Sequence, residues 1–255
     1  MNPSVSVVMP AFNSVKYIKL AIESVQAQAI DNWELLVSDD GSSDATPAIV
    51  SQYAQEDSRI RLLSAGANRG AARARNSAIE VARGRYIAFL DSDDLWKPQK
   101  LERQLAFMQS GDVAFSFSSY DRVDEQGNYI NTHVVGLPQT YDSLLKSCVI
   151  GCLTAMYDSE KLGKVYMPEL RKCEDFGLWL RLLKRVDAAY PLAESLALYR
   201  VHANSVSANK LSAARYTWAL YHDVEKLGFA RSAWYFAHYA ARGVFNTYVR
   251  PRLPR

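Results

Sequence analysis

The chain has 255 residues, 49% of them hydrophobic and 22% charged, with a formal net charge of +3 at pH 7. These values exclude a disordered or low-complexity chain and suit one large globular domain, or one domain with an appendage. No apolar run approaches the ~18 residues of a spanning helix, and no basic-then-apolar leader opens the chain, so neither a membrane span nor a signal peptide is expected.

Ser4 to Met9 is a β-branched run stopping at Pro10, a first strand followed by a loop through Asn13. Val15 to Ala29 places Ile18, Ala21, Ile22 and Val25 at helical spacing. Trp33 to Ser38 reads as a second strand, ending in Asp39-Asp40-Gly41-Ser42. Thr46-Pro47 looks like an N-cap followed by proline at the first helical position. Ile60 to Leu63 is a short third strand, and Ala71 to Ala82 an alanine-rich helix. Tyr86 to Leu90 is a fourth, wholly apolar strand, followed by Asp91-Ser92-Asp93-Asp94. Repeated strand–helix alternation predicts an α/β fold, a mostly parallel sheet flanked by helices.

After Asp94 the rhythm changes. Trp96 to Met108 reads as a helix, Val113 to Ser119 and Tyr129 to Val135 as strands, and Glu174 to Arg185 as an amphipathic helix among shorter elements. Cys148, Cys152 and Cys173 match no usual zinc spacing and are expected to be reduced, partly buried thiols in a cytosolic protein. From Leu211 two helical stretches are predicted, parted near Gly228. Lys226 to Arg255 holds six Lys/Arg and no Asp/Glu, leaving the first 225 residues at −3. A basic, aromatic tail on a mildly acidic body predicts an anionic partner for the tail.

Parallel strands bring Pro10-Phe12-Asn13, Asp39-Asp40 and Asp91-Ser92-Asp93-Asp94 to one edge of the sheet, where open α/β folds bind ligands. If the extended backbone continues, Asp91 and Asp93 point to the same side. Their mutual repulsion is relieved by a hard divalent cation, Mg2+ or Mn2+, that also holds substrate phosphates. A solvated acidic turn would carry the same residues. Arg69, Arg73 and Arg75 flank the start of the third helix, a setting that favours phosphate, although a solvated basic face has the same pattern. A Gly-x-Gly-x-x-Gly turn and a Gly-Lys-Ser/Thr loop are both missing, which argues against a dinucleotide dehydrogenase and a P-loop ATPase.

Several segments in this order resemble family-2 inverting glycosyltransferases of the GT-A fold, of the bacterial polysaccharide or O-antigen type. They are Val7-Val8-Met9-Pro10-Ala11-Phe12-Asn13, Val37-Ser38-Asp39-Asp40-Gly41-Ser42-Ser43-Asp44, and Asn68-Arg69-Gly70 through Asn76. Further on come Gly84-Arg85 through Asp94, Glu174-Asp175 through Leu182, and Tyr199-Arg200-Val201-His202. The resemblance implies a GT-A (Rossmann-like) domain over residues 1–207 and a basic, aromatic helical tail over 208–255. Within the domain, residues 1–96 would bind the nucleotide-sugar and 97–207 the acceptor.

The resemblance also implies roles. Phe12, beside Pro10, would lie against the uracil of a UDP-sugar, and Asp40 would accept a hydrogen bond from it. Arg75 would help hold the nucleotide, Asp91 with Ser92 the ribose side, and Asp93 the metal, Mn2+ or Mg2+, with His202 as a further ligand. Asp175 would be the general base on an acceptor hydroxyl, with Glu174 holding base or acceptor. Acids in a first helical turn are also favoured by the helix dipole alone, and a lone histidine can be structural. The expected reaction moves a hexose from a UDP-sugar to a saccharide or polyprenyl-diphosphate-linked saccharide, with no nucleic acid involved. The expected place is the cytoplasm, at the inner face of the cytoplasmic membrane.

In the tail, one helical face would carry Arg231, Tyr235, His238 and Arg242, and another Trp234, Ala237, Ala241, Phe245 and Tyr248. Such a helix suits a membrane surface, or packing on the domain. Two other functions are weighed. A sugar nucleotidyltransferase needs a Gly-rich first loop with a catalytic Lys or Arg, and Met9 to Asn13 has none. A non-catalytic nucleotide- or sugar-binding module would not need Asp93 and Asp175 together.

Overall fold

A computed structural model describes residues 3–64, 68–202 and 210–244. The first half runs β1 (Val5–Ala11), α1 (Ile18–Gln26), β2 (Trp33–Asp39), α2 (Thr46–Glu56), β3 (Ile60–Ser64), α3 (Ala71–Val81) and β4 (Tyr86–Phe89). Its strands pair in parallel in the order β3-β2-β1-β4. Every residue of β2 and β4 is buried. Strands covered on both faces read as short, largely apolar runs, and all four lie within two residues of their sequence-based bounds.

The second half runs β5 (Leu95–Trp96), α4 (Lys100–Ser110), β6 (Phe115–Val123), β7 (Tyr129–His133) and α5 (Tyr141–Lys146). A 3-10 turn at Cys152–Thr154 leads to β8 (Met156–Asp158), α6 (Ser159–Leu162), α7 (Glu174–Leu183) and β9 (Tyr190–Arg200). Two further helices follow: α8 (Lys210–Ala219), which widens into a π turn at Leu220–Val224, and α9 (Phe229–Val244). The sheet continues β4-β8-β6-β9-β5, with β7 on β6. Here β6–β9 is the parallel pairing, and β8 is antiparallel to both β4 and β6. One face of the sheet packs on α1, α2 and α4. The other packs on α3, α5 and α7, and Leu220, Tyr221 and Tyr235 of the C-terminal helices join that same core.

Four local expectations need correction. Pro10 lies inside β1, opposite Ser38 of β2. Leu90 N donates to Val8 O as the last rung toward β4, so two residues later the strand faces no partner on that side and the missing N–H of proline is tolerated. Helix α1 is shorter than its apolar spacing suggested, although Ile18, Ala21, Ile22 and Val25 are buried as expected. Thr46 does not cap α2. Its Oγ1 accepts from Ser14 N at 2.8 Å, tying the loop after β1 to the start of α2. Trp96 belongs to strand β5, paired with Ala197. Pro98 disfavours helical backbone at Lys97, so α4 begins only at Lys100.

Candidate active site

The loops that leave β1, β2 and β4 meet at one edge and are stitched together. Asn13 N donates to Ser42 Oγ at 2.9 Å, and Ser43 N to Asn13 Oδ1 at 2.8 Å. Ser14 Oγ lies 2.8 Å from Ser92 Oγ. The carboxylates here are spoken for by backbone. Asp39 accepts from Gly41 N and Ser42 N at 3.1 and 3.0 Å. Asp40, buried, accepts from Arg69 N and Gly70 N at 2.8 and 2.7 Å, anchoring the entry to α3. Gly70 has φ +98°, a conformation that side chains resist. Phe12 stands out of this framework, 46% exposed.

Beyond β4 the chain does not stay extended. Asp94 N donates to Asp91 O at 3.1 Å, closing a turn. The expected same-side pairing of Asp91 and Asp93 is therefore replaced by two separate engagements. Asp91 pairs with Arg75 Nη2, while Asp93 Oδ2 lies 2.8 Å from His202 Nε2. Asp94 is buried and accepts from Arg200 N at 2.8 Å. Burial, and then the charges of Asp93 and Asp91, push its carboxyl well above the usual range. Arg200 Nε in turn donates to Asp93 O at 3.1 Å.

Arg75 is the hinge between the two halves. Only 7% of its side chain is exposed; Nη2 holds Asp91 and Nη1 donates to Glu174 at 3.1 Å. Of the three arginines at α3, Arg73 instead reaches outward to Glu169, and Arg69 is exposed. Glu174 and Asp175 open α7, and the residue before them, Cys173, has φ +63°. That is a rare left-handed conformation for a side-chain-bearing residue, one that clusters at functional sites. At Gly177 a Cβ would come within 2.4 Å of Pro168 Cγ, so α7 needs glycine where the preceding loop crosses it.

Asp175 is partly buried beside Glu174 and Arg75. Burial first, then the charge of Glu174, push its carboxyl up to about 6, against the opposing pull of Arg75. Burial also pushes up the thiols of Cys148, Cys152 and Cys173, and all three are free. They are packing groups rather than nucleophiles.

The structure thus brings Asp91, Arg75 and Glu174 into one network and Asp93 and His202 into another, with Pro10, Phe12, Asp40 and Ser92 on the shared strand-end edge. Asp93 and His202 could hold a divalent ion through one carboxylate and one imidazole. Among the described residues no cluster of three or more His, Cys, Asp or Glu forms a metal cage. A hard divalent ion held by two protein donors takes its remaining ligands from water or substrate oxygens. Sequence reasoning missed the parts played by Asp94 and Arg200; their signal was the Asp93-Asp94 pair and the two-residue spacing from Arg200 to His202.

Of the expected tail, residues up to 244 are described, while Phe245 and Tyr248 lie outside the described residues. Tyr235 points inward, its OH 2.6 Å from Asp142 Oδ1, so the face expected to be basic is partly packed on the body. Trp234, Ala237 and Ala241 are exposed, Trp234 by 60%. Among the described residues no helix is long and apolar enough to cross a membrane.

The family model described as Glycosyl transferase family 2 matches residues 6–157. The putative teichuronic acid biosynthesis glycosyltransferase TuaG of Bacillus subtilis (strain 168) is 44% identical over 243 residues, 95% of this chain and 96% of that one. The Escherichia coli UDP-Glc:alpha-D-GlcNAc-diphosphoundecaprenol beta-1,3-glucosyltransferase WfgD is 39% identical over 246 residues, 94% of this chain and 93% of that one. Among solved structures, S. aureus TarS 1-349 in complex with UDP-GlcNAc superposes with a TM-score of 0.73 at 21% identity, covering 95% of this chain and 73% of that one. That likeness shows the fold.

Proposed function

The chain belongs to glycosyl transferase family 2, and on that premise we propose that it is an inverting, divalent-metal-dependent transferase. It moves a hexose from a UDP-sugar to a hydroxyl of a saccharide carried on a polyprenyl diphosphate. The observation that carries this reading is the Arg75 bridge, one buried guanidinium joining the strand-end acid Asp91 to Glu174 beside Asp175. It brings a nucleotide-type sheet edge and a pair of helix-start acids together in one site. The names of WfgD and TuaG support a UDP-glucose-type donor, a lipid-diphosphate acceptor and a role in surface polysaccharide assembly.

In this proposal Pro10 and Phe12 give the base an apolar platform. Asp40 accepts from the base while keeping the Arg69–Gly70 amides in place, since each carboxylate oxygen has a second lone pair. Asp91 and Ser92 face the ribose, and Arg75 acts on the nucleotide through Asp91. Asp93 and His202 would hold the ion. When bound, the ion supplies charge compensation for the leaving diphosphate. Asp175 takes the proton from the acceptor hydroxyl as that oxygen attacks opposite the leaving group, and Glu174, fixed by Arg75, keeps it in place. A base near pH 6 matches the requirement that a catalytic pKa lie close to the working pH. The exposed Trp234 face with the basic tail would rest on an anionic membrane surface at the cytoplasmic side, near a lipid-linked acceptor.

A donor screen tests the assignment: purified protein, Mn2+, and a panel of UDP- and GDP-sugars, with released nucleoside diphosphate as readout. Release from a UDP-hexose is expected. Release from GDP-sugars alone would overturn the donor assignment.

A further inference from the structure

Tyr17 is the last residue before α1, at the N-cap position, and its side chain makes no capping hydrogen bond. Ser, Thr, Asp and Asn are the usual occupants of such a position. The ring is used elsewhere. It stacks on the imidazole of His202, centroids 6.1 Å apart at 28°. The guanidinium carbon of Arg200 lies 4.9 Å from the same ring, within cation–π range. Arg200 ends β9 and His202 follows two residues later. Arg200 also holds the Asp93 carbonyl at 3.1 Å and the Glu125 carbonyl at 3.0 Å, and Lys16 pairs with Glu125 at 2.7 Å. The Tyr17 ring thus contacts both Arg200 and His202, and Arg200 in turn ties the ring's surroundings to Asp93 and Glu125.

We infer that Tyr17 is a positioning residue for the metal–diphosphate site, its ring fixing the His202 imidazole so that Nε2 faces Asp93. The inference rests on the donor-site reading above, in which Asp93 and His202 hold the ion. Among the described residues, the polar partner of the His202 side chain is the Asp93 carboxylate, and the side chain is 18% exposed. Without the ring, the imidazole can turn away, and the ion loses a preset ligand. Partners that orient a metal ligand are typically worth 10–100-fold in metal affinity.

The test is UDP binding by calorimetry, in EDTA and in Mn2+, for the wild-type protein, Tyr17→Phe and Tyr17→Leu. Tyr17→Phe keeps the ring face; Tyr17→Leu keeps apolar bulk without it. The wild type and Tyr17→Phe should gain affinity on adding Mn2+ to a similar degree. In Tyr17→Leu that Mn2+-dependent gain should fall by about tenfold, while UDP affinity in EDTA stays the same and shows that the base pocket is folded. Should Tyr17→Leu not fold, Tyr17→Met takes its place with the same expectation. An undiminished Mn2+ gain in the leucine or methionine variant would overturn the role of Tyr17. A loss in Tyr17→Phe equal to that in Tyr17→Leu would do so too, by assigning the effect to the hydroxyl. If the wild type itself gains nothing from Mn2+, the metal reading of Asp93 and His202 fails, and the inference with it.

Discussion

The acids at the strand ends and the acid at the start of α7 are held in opposite ways. Asp39 and Asp40 accept backbone N–H groups in pairs, and Asp91 and Asp93 face a guanidinium and an imidazole. Such partners fix each carboxylate in place. Asp175 has the N–H of Phe176 at 2.8 Å as its near partner and is otherwise crowded by Glu174 and buried thiols. Its charged form is disfavoured. The contrast matches the proposed division of work: carboxylates fixed by partners suit binding a nucleotide diphosphate, and a carboxyl near pH 6 suits moving a proton.

If the contrast is right, variants on the two sides should fail differently. Among the strand-end acids the largest loss is expected from Asp93→Ala, which removes the carboxylate of the proposed ion site. Lewis-acid stabilisation is worth several kcal/mol, so transfer should drop by about 10³-fold, and UDP binding should no longer respond to Mn2+. Asp40→Ala should act mainly on donor affinity. Losing a charged hydrogen-bond acceptor is typically worth about 1.5–3 kcal/mol, a donor KM raised roughly 10–100-fold at near-normal turnover. Turnover reduced with KM intact would place Asp40 on the chemical side instead.

A third variant sharpens the comparison through stability. A carboxyl held at about 6 in the folded chain, against an ordinary 3.8, binds more protons folded than unfolded between those values. Stability therefore falls as pH rises through that window, and the deficit is complete above pH 6. Asp175→Asn removes it and should raise the melting temperature at pH 7.5 by a few degrees, on the order of 1 kcal/mol for a chain of this size. At pH 4 the gain should be absent. The smallest effect belongs to the tail. Trp234→Ser should reduce flotation with phosphatidylglycerol vesicles a few-fold and leave transfer to a soluble acceptor analogue unchanged. A point change is the sharper probe here, because Tyr221 and Tyr235 pack into the core and deleting the tail would unseat α7.

How far the sequence could be read follows the same divide. The parallel half was legible because β2 and β4 are short, largely apolar runs closed by acids, a signal local to each strand. Phe12, Asp40, Asp91 and Asp93 could be placed on one edge from that order alone. The second half depends on pairings distant in sequence. Nothing local announces that β8 inserts between β4 and β6, or that Leu95–Trp96 pairs with Leu198 and Ala197. The same limit hid the bridge at Arg75. Its sequence context reads as a phosphate-facing helix start, and only the fold brings Glu174, 99 residues away, to its guanidinium. Nor could the turn at Asp91–Asp94 be foreseen, because a strand's alternation says nothing about where the backbone stops being extended.

The assignment of proton transfer to Asp175 is tested most directly by the pH dependence of turnover, measured with saturating donor for the wild type, Asp175→Asn and Glu174→Gln. The wild-type turnover number should fall about tenfold per pH unit below a limb near 6. Asp175→Asn should lose that limb and run about 10²–10⁴-fold slower at pH 7.5, with UDP-sugar affinity unchanged, while Glu174→Gln keeps the limb at a smaller loss. An Asp175→Asn enzyme within a few-fold of wild type, with the acidic limb intact and Glu174→Gln inactive, would contradict the assignment and move the base to Glu174.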